Sequence, residues 1–265
     1  MSCLAPRYVK DKQGSIHAVP CGQCVECLKK RRRDWSFRLV QEWRDAAMAH
    51  FITLTYDDEH MPDGASLSKR DLQLFMKRLR KRYSGLNIRY YVAGEYGPTT
   101  NRPHYHGIFY NLPDDMDEVY LSVLKAWQKG NISVFPANEK TINYVTKDVI
   151  SRITAPEGVE PPFHLQSTRP GLGAGFLDRV QRRYSGALTR HSLSVFLPGG
   201  VVAGLPRYYS NKLYTGAERR IIAKLAYGDQ PTTFEDFVSR YPRDQWPQFV
   251  RQKEQQVKNK QSTKL

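Results

Sequence analysis

The triplet His104-Tyr105-His106 carries the residue types and spacing in this sequence best suited to chemistry. On an extended strand, side chains at i and i+2 share a face, so the two imidazoles can grip one cation together. Glu95 lies upstream, across the turn-rich stretch Gly97-Pro98-Thr99-Thr100-Asn101-Arg102-Pro103. If Ile88–Tyr96 and His104–Asn111 pair as a hairpin, Glu95 comes alongside as a third ligand. Two imidazoles and a carboxylate suit a divalent ion that polarises an anionic substrate. Tyr144 and Lys147 follow in Asn143-Tyr144-Val145-Thr146-Lys147-Asp148, and a tyrosine with a basic neighbour suits the role of nucleophile. The set reads as an enzyme that cuts a phosphodiester and keeps one end covalently. An isolated His-x-His fits any half-buried strand equally well, so the reading rests on the order and spacing of all five residues.

The elements that must position these groups follow from periodicity. Glu139–Ile150 places Ile142, Val145 and Val149 on one helical face, and Tyr144 with Lys147 on roughly the opposite side. A helix is expected from Leu28 to about Met48, and His50–Tyr56 alternates as a strand. Ser68–Tyr83 reads as a helix capped by Ser68, with Leu72, Phe75, Met76, Leu79 and Tyr83 as its buried stripe. After the ligand hairpin come a helix over Asp114–Lys129, a strand over Asn131–Phe135 and the Tyr144 helix from Lys140. The order β-α-β-β-α-β-α points to an α+β protein with a central antiparallel sheet of ferredoxin-like kind, flanked by helices. Beyond residue 155 the pattern thins to a mainly helical and irregular extension (156–250). It includes a hairpin over Val195–Tyr209, helices over Ala217–Tyr227 and Phe234–Tyr241, and a basic disordered tail at 251–265.

Composition points to a polyanionic partner. Lys and Arg number 41 against 26 acidic residues, a net charge of +15, which steers nucleic acid and adds sequence-independent affinity. No apolar run approaches the ~20 residues that span a bilayer, and there is no secretory signal. A membrane partner is therefore not expected, and a cytosolic setting is. All four cysteines (Cys3, Cys21, Cys24 and Cys27) fall in an N-terminal arm of about 30 residues. In a reducing cytosol this spacing argues for a metal clip, with structural Zn²⁺ the preferred ion. His17 is an alternative to Cys3, and an iron–sulfur cluster is an alternative to zinc. Directly after the cysteines stand Lys29, Lys30, Arg31, Arg32 and Arg33, five consecutive cations placed to contact phosphates. Arg102, just ahead of the ligand strand, joins them as a candidate DNA contact.

The motifs Phe51-Ile52-Thr53-Leu54-Thr55-Tyr56, Glu95, Arg102-Pro103-His104-Tyr105-His106-Gly107 and Tyr144-x-x-Lys147 resemble, in order, those of the HUH endonuclease superfamily. Within it, the chain is similar to replication initiators of gokushovirus-type microviruses, a match strengthened by the run from Pro20 to Trp35. The resemblance covers approximately residues 20–150. It implies an HUH nuclease core over 31–155, with Mg²⁺ or Mn²⁺ held by Glu95, His104 and His106. It also implies Tyr144 as nucleophile and Lys147 assisting at the phosphate or orienting the metal site. The expected partners are single-stranded DNA at a viral origin and host replication machinery, in the cytoplasm of a bacterial host. Lys and Asp at positions 140 and 148 leave one tyrosine on this helix rather than two. A single-tyrosine transposase, or a zinc-containing nucleic-acid-binding protein without enzymatic activity, is the alternative.

Overall fold

The structure is a computed structural model, and it describes residues 3, 5–10, 14, 16–97, 99–147, 158–184, 186–197 and 200–228. The expected helix at Phe234–Tyr241, the basic tail and Val149 lie outside the described residues. The chain divides into two compact units, one of Arg32–Arg182 and one of Met1–Arg31 with Arg183–Leu265.

A short hairpin of β1 (Arg7–Lys10) and β2 (Ile16–Val19) leads into the long helix α1 (Val25–Asp45), most of which belongs to the Arg32–Arg182 unit. There follow β3 (Ala49–Thr55), α2 (Lys69–Arg82), β4 (Arg89–Tyr96), β5 (Pro103–Tyr110) and α3 (Met116–Trp127). The unit is completed by β6 (Ile132–Pro136), α4 (Glu139–Val145), β7 (Phe163–Gln166) and most of α5 (Phe176–Tyr184). Five strands form one sheet in the order β6-β3-β5-β4-β7, every neighbouring pair antiparallel. The other unit contains the hairpin of β8 (Ser194–Phe196) and β9 (Val202–Gly204), then α6 (Arg207–Leu213) and α7 (Gly216–Tyr227).

Alternation along the strands splits the core of the five-stranded sheet in two. One face sends Ile52, Leu54, Val92, Tyr105 and Phe109 beneath α2 and α3, where Leu72, Phe75, Met76, Leu79 and Trp127 are buried. The other sends Tyr91, Ala93, Ile108 and Tyr110 against Leu39 of α1 and Ile142 and Val145 of α4. A buried ion pair, Arg89 with Glu42, ties α1 to this second face, and Glu42 also accepts the N–H of Gly173 at 2.6 Å. Breaking such a pair from one side strands a buried charge at a cost of roughly 3–5 kcal/mol.

Several elements differ from expectation. The Tyr144 helix ends at Val145 rather than Ile150, because the Thr146 hydroxyl turns back to the carbonyls of Ile142 and Asn143 at 3.1 and 3.2 Å. The long N-terminal helix starts before Leu28 and stops before Met48. The segment Pro206-Arg207-Tyr208-Tyr209 opens α6 instead of closing a hairpin, with Pro206 at the N-cap. Strands β1, β2 and β7 are each four residues, too short for alternation to stand out.

His50 on β3 is 1% exposed, and neither ring nitrogen has a hydrogen-bond partner among the described residues. Burial lowers its pKa from 6.5, with Asp114 opposing weakly. The unfolded chain therefore takes up a proton here below pH 6.5 that the folded chain refuses, so stability falls as pH drops through that range. His50→Leu should remove this contribution, at most about 1.4 kcal/mol per pH unit. Thermal unfolding at pH 7.5 and 5.5 should show a smaller acid-side loss in the variant. Equal losses would mean that His50 does not titrate with folding.

Candidate functional site

Pairing of β4 with β5 sets Glu95 directly opposite His104 and Ala93 opposite His106. All four lie on the α1/α4 face of the sheet. One oxygen is the hub: Glu95 Oε1 lies 3.1 Å from His104 Nε2, 3.4 Å from His106 Nδ1 and 3.5 Å from the Tyr144 hydroxyl. One ligand atom from each of Glu95, His104 and His106 lies within 4.8 Å of the others, close enough to hold one ion. The Nδ1 of His104 lies 3.2 Å from the Arg102 carbonyl, an N–H donation that leaves Nε2 free to face the hub. Burial lowers the pKa of His106 against the pull of Glu95, favouring the neutral imidazole that metals bind. The residues therefore fit a hard divalent cation.

The ligand pair does not stand on an open face. His106 is 1% exposed, with the Tyr144 ring 4.8 Å away and Phe51 at 6.4 Å. Tyr144 itself is 47% exposed, and its ring meets Phe51 edge-on at 6.0 Å. Its helix is oriented by burial of Ile142 and Val145, which turns the tyrosine across the metal ligands. Lys147 is exposed, past the end of α4 in a turn whose N–H bonds the Tyr144 carbonyl at 2.8 Å.

The candidate DNA contacts separate into different roles. Arg102 gives Nε and Nη2 to the Tyr56 carbonyl at 3.0 and 2.8 Å, and pairs through Nη1 with Asp58. That pins the loop ahead of β5. Arg32 donates to the Asn143 carbonyl at 3.1 Å, while Lys29 and Arg33 lie beside Glu26 and Asp34. Lys30 and Arg31 are exposed on α1. One turn beyond Arg32, Ser36 shares a hydrogen bond of 2.7 Å with the Thr146 hydroxyl. Arg32 and Ser36 thus bracket Tyr144, holding the residues on either side of it. Contacts over 110 residues of sequence leave no local signal, and Ser36 was not foreseen.

The four cysteines converge in the other unit. Their sulfurs all lie within 4.8 Å of one another, with Cys3–Cys24 and Cys21–Cys27 both at 3.9 Å. None is in a disulfide. Backbone N–H groups of Gln23 and Cys24 point at Cys21 Sγ, and that of Cys21 points at Cys3 Sγ. Burial opposes ionisation of Cys21, but the Cys24 and Gln23 amides and neighbouring thiols outweigh it and bring its pKa to about 7. Burial pushes Cys3 and Cys27 up.

The family described as replication-associated protein ORF2 matches residues 49–151. Replication-associated protein VP4 of Bdellovibrio phage phiMH2K is 29% identical over 76% of this chain and 69% of its own. ORF2 of Spiroplasma virus 4 is 27% identical over 67% of this chain and 63% of its own. The chain belongs to the microvirus-type replication initiators. ORF4 of Chlamydia phage 1, also a replication-associated protein, is 30% identical over 54% of this chain and 40% of its own. The chain thus spans between two fifths and about two thirds of these relatives. No solved structure matches it significantly. Within this initiator, Glu95, His104, His106, Tyr144 and Lys147 all fall inside the family match, whereas the cysteines and the basic run precede it.

The bracket around Tyr144 makes a measurable difference to α4. Replacing Arg32 and Ser36 together by alanine removes two of its ties to α1, worth about 1–2 kcal/mol. Amides of α4 should exchange with deuterium on the order of tenfold faster while those of β5 stay as in the parent. Unchanged exchange in α4 would show that burial of Ile142 and Val145 suffices.

Proposed function

We propose that the chain is a replication-initiation endonuclease of HUH kind that nicks single-stranded or melted origin DNA. The observation that carries this is the convergence of His104 Nε2, His106 Nδ1 and the Tyr144 hydroxyl on Glu95 Oε1. The phenol oxygen of Tyr144 attacks a backbone phosphorus and gives up its proton. The P–O3′ bond breaks, and the departing 3′-oxygen takes up a proton. The products are a 5′-phosphotyrosyl adduct and a free 3′-hydroxyl that primes rolling-circle synthesis. Mg²⁺ or Mn²⁺ at Glu95, His104 and His106 supplies charge neutralisation for the phosphate as negative charge grows. The Arg102 carbonyl holds the His104 tautomer, the α1 bracket holds Tyr144 in line, and Lys147 offers a cation to the phosphate beside it. The adduct conserves bond energy, so attack by a 3′-hydroxyl reverses the step and closes a strand.

Similarity to replication-associated proteins of small phages favours this over a single-tyrosine transposase. A zinc-containing nucleic-acid-binding protein without activity would leave the Glu95 cluster without a task. The origin of a phage, the host replication machinery and the host cytoplasm are the partners and setting that fit. No helix among the described residues is long and apolar enough to cross a membrane.

The four cysteines are assigned to structural zinc. A tetrahedral ion with Zn–S bonds of about 2.3 Å puts its sulfurs about 3.8 Å apart, and two of the pairs here stand at 3.9 Å. A multi-iron cluster would hold the sulfurs farther apart, since several metal atoms lie between them.

Tyr144→Phe keeps the ring but loses the attacking oxygen. Adducts with single-stranded origin DNA should vanish on denaturing gels while DNA binding persists. Undiminished adduct would pass the role to another tyrosine.

The two metals should separate by chelation. After dialysis against a mild chelator, elemental analysis should still find about one zinc per chain, while nicking is lost until Mg²⁺ or Mn²⁺ returns. Cys24→Ser should release the zinc. Freshly purified parent lacking zinc would refute the assignment.

A further inference from the structure

The sheet face that carries the metal ligands continues past them toward the β6 edge, and its residues form register rows. Beside His104 stands Thr55 on β3, whose N–H bonds the Asn131 carbonyl at 2.9 Å. Beside His106 stands Thr53, and beyond it Ser133 on β6. In the next row Phe51 stands opposite Phe135. Thr53, Thr55 and Ser133 are half-buried, while Phe135 is 57% exposed. The other side of β6 is already used, since Val134 and Ile132 pack into the α2/α3 core. Among the described residues β6 pairs only with β3, so it forms an edge of the sheet.

One exposed phenylalanine is ordinary on a soluble protein. Position is what distinguishes this one. Hydroxyls lead in an unbroken row from the metal ligands to the edge, and an aromatic face stands next to their end. At about 4.8 Å per strand and 3.4 Å per residue, Phe135 lies roughly 12 Å from His106, within reach of a nucleotide near the scissile phosphate. Hydroxyls that donate to phosphate oxygens, beside an aromatic platform, are the components of sequence-tolerant single-strand binding. A net charge of +15 favours a polyanion over an acceptor of other chemistry.

We propose that this ramp is a nucleotide-binding subsite. Single-stranded DNA extending from the metal ligands passes its backbone over Thr53, Thr55 and Ser133 and stacks a base on Phe135. The proposal rests on the endonuclease reading above, and deepens it by naming where the flanking strand lies. Phe51 is the hinge of the arrangement: Phe135 stands opposite it on β6, and the Tyr144 ring meets its edge at 6.0 Å. The stacked base and the attacking hydroxyl are thereby placed relative to one another.

The test uses the full-length chain and a 5-bromodeoxyuridine-substituted single strand. Near-ultraviolet irradiation should cross-link it to the peptide bearing Phe135, as read by mass spectrometry. Phe135→Ala should weaken binding of oligo-dT roughly tenfold, and Phe135→Tyr should restore it. Thr53→Val should weaken binding by a smaller factor without changing the cross-linked peptide. Equal affinity of Phe135→Ala and parent, with cross-links elsewhere, would overturn the subsite. So would a change only in sedimentation, from dimer to monomer, which would make this edge a contact between two copies of the chain. Adduct formation is scored in parallel: loss of adduct in the parent would sink the endonuclease reading, whereas the cross-link and affinity test the subsite independently.

Discussion

Register between β4 and β5 is the constraint on which the centre depends. Side chains alternate along a strand, so a slip of one residue would carry Glu95 to the α2/α3 core and away from both histidines. Two glycines make the present register possible. A side chain at Gly107 would meet the Tyr91 carbonyl oxygen at 2.5 Å and the Val92 side chain at 2.6 Å. At Gly94 it would press on Leu67 and Tyr105 at 3.0 and 3.1 Å. The residue after the second histidine and the residue before the glutamate are both places where bulk would push the strands apart.

The same alternation explains what could be read in advance. The α2 stripe, the ligand hairpin and the outward turn of Tyr144 are periodic or local, and they stand as expected. The family match supports the replication role and leaves the chemistry as a proposal. What sequence could not give depends on distant partners. Arg32 belongs to a basic run that looks uniform, yet its guanidinium reaches a carbonyl of α4 while Lys29 and Arg33 lie beside acidic neighbours on α1. The depth of His106 is set by Tyr144 and Phe51, neither of which is near it in sequence. Strand β7 brings His164 opposite Ala93, on the same face as His106, from a segment where no alternation could be recognised.

Charge counted along a sequence is also a poor map of where nucleic acid binds. On α2, Arg78 donates to the Ala126 carbonyl and Arg82 to Ser122, while Arg80 lies over the Tyr90 ring at 5.3 Å. These cations fasten α2 to α3 and cover the sheet with their aliphatic stems. Arg102 does the same for the loop before β5. The long-range field of the chain remains strongly positive whatever the local duty of each group.

Tyr105, between the two histidines, points into the opposite core. Its hydroxyl accepts the Ser68 N–H at 2.7 Å, reaches the Ser68 carbonyl at 3.0 Å and shares a hydrogen bond of 2.9 Å with Tyr56. The backbone linking the ligands is thus nailed to the first turn of α2. Tyr144, by contrast, rides a seven-residue helix, too short to persist without its packing. Stiffness and freedom are divided between the halves of the centre: whatever holds the phosphate is nearly immobile, and thermal excursions fall on the tyrosine. The rate of attack is then governed by how often α4 brings its hydroxyl into line, and release of a joined strand by how readily that same short helix swings away.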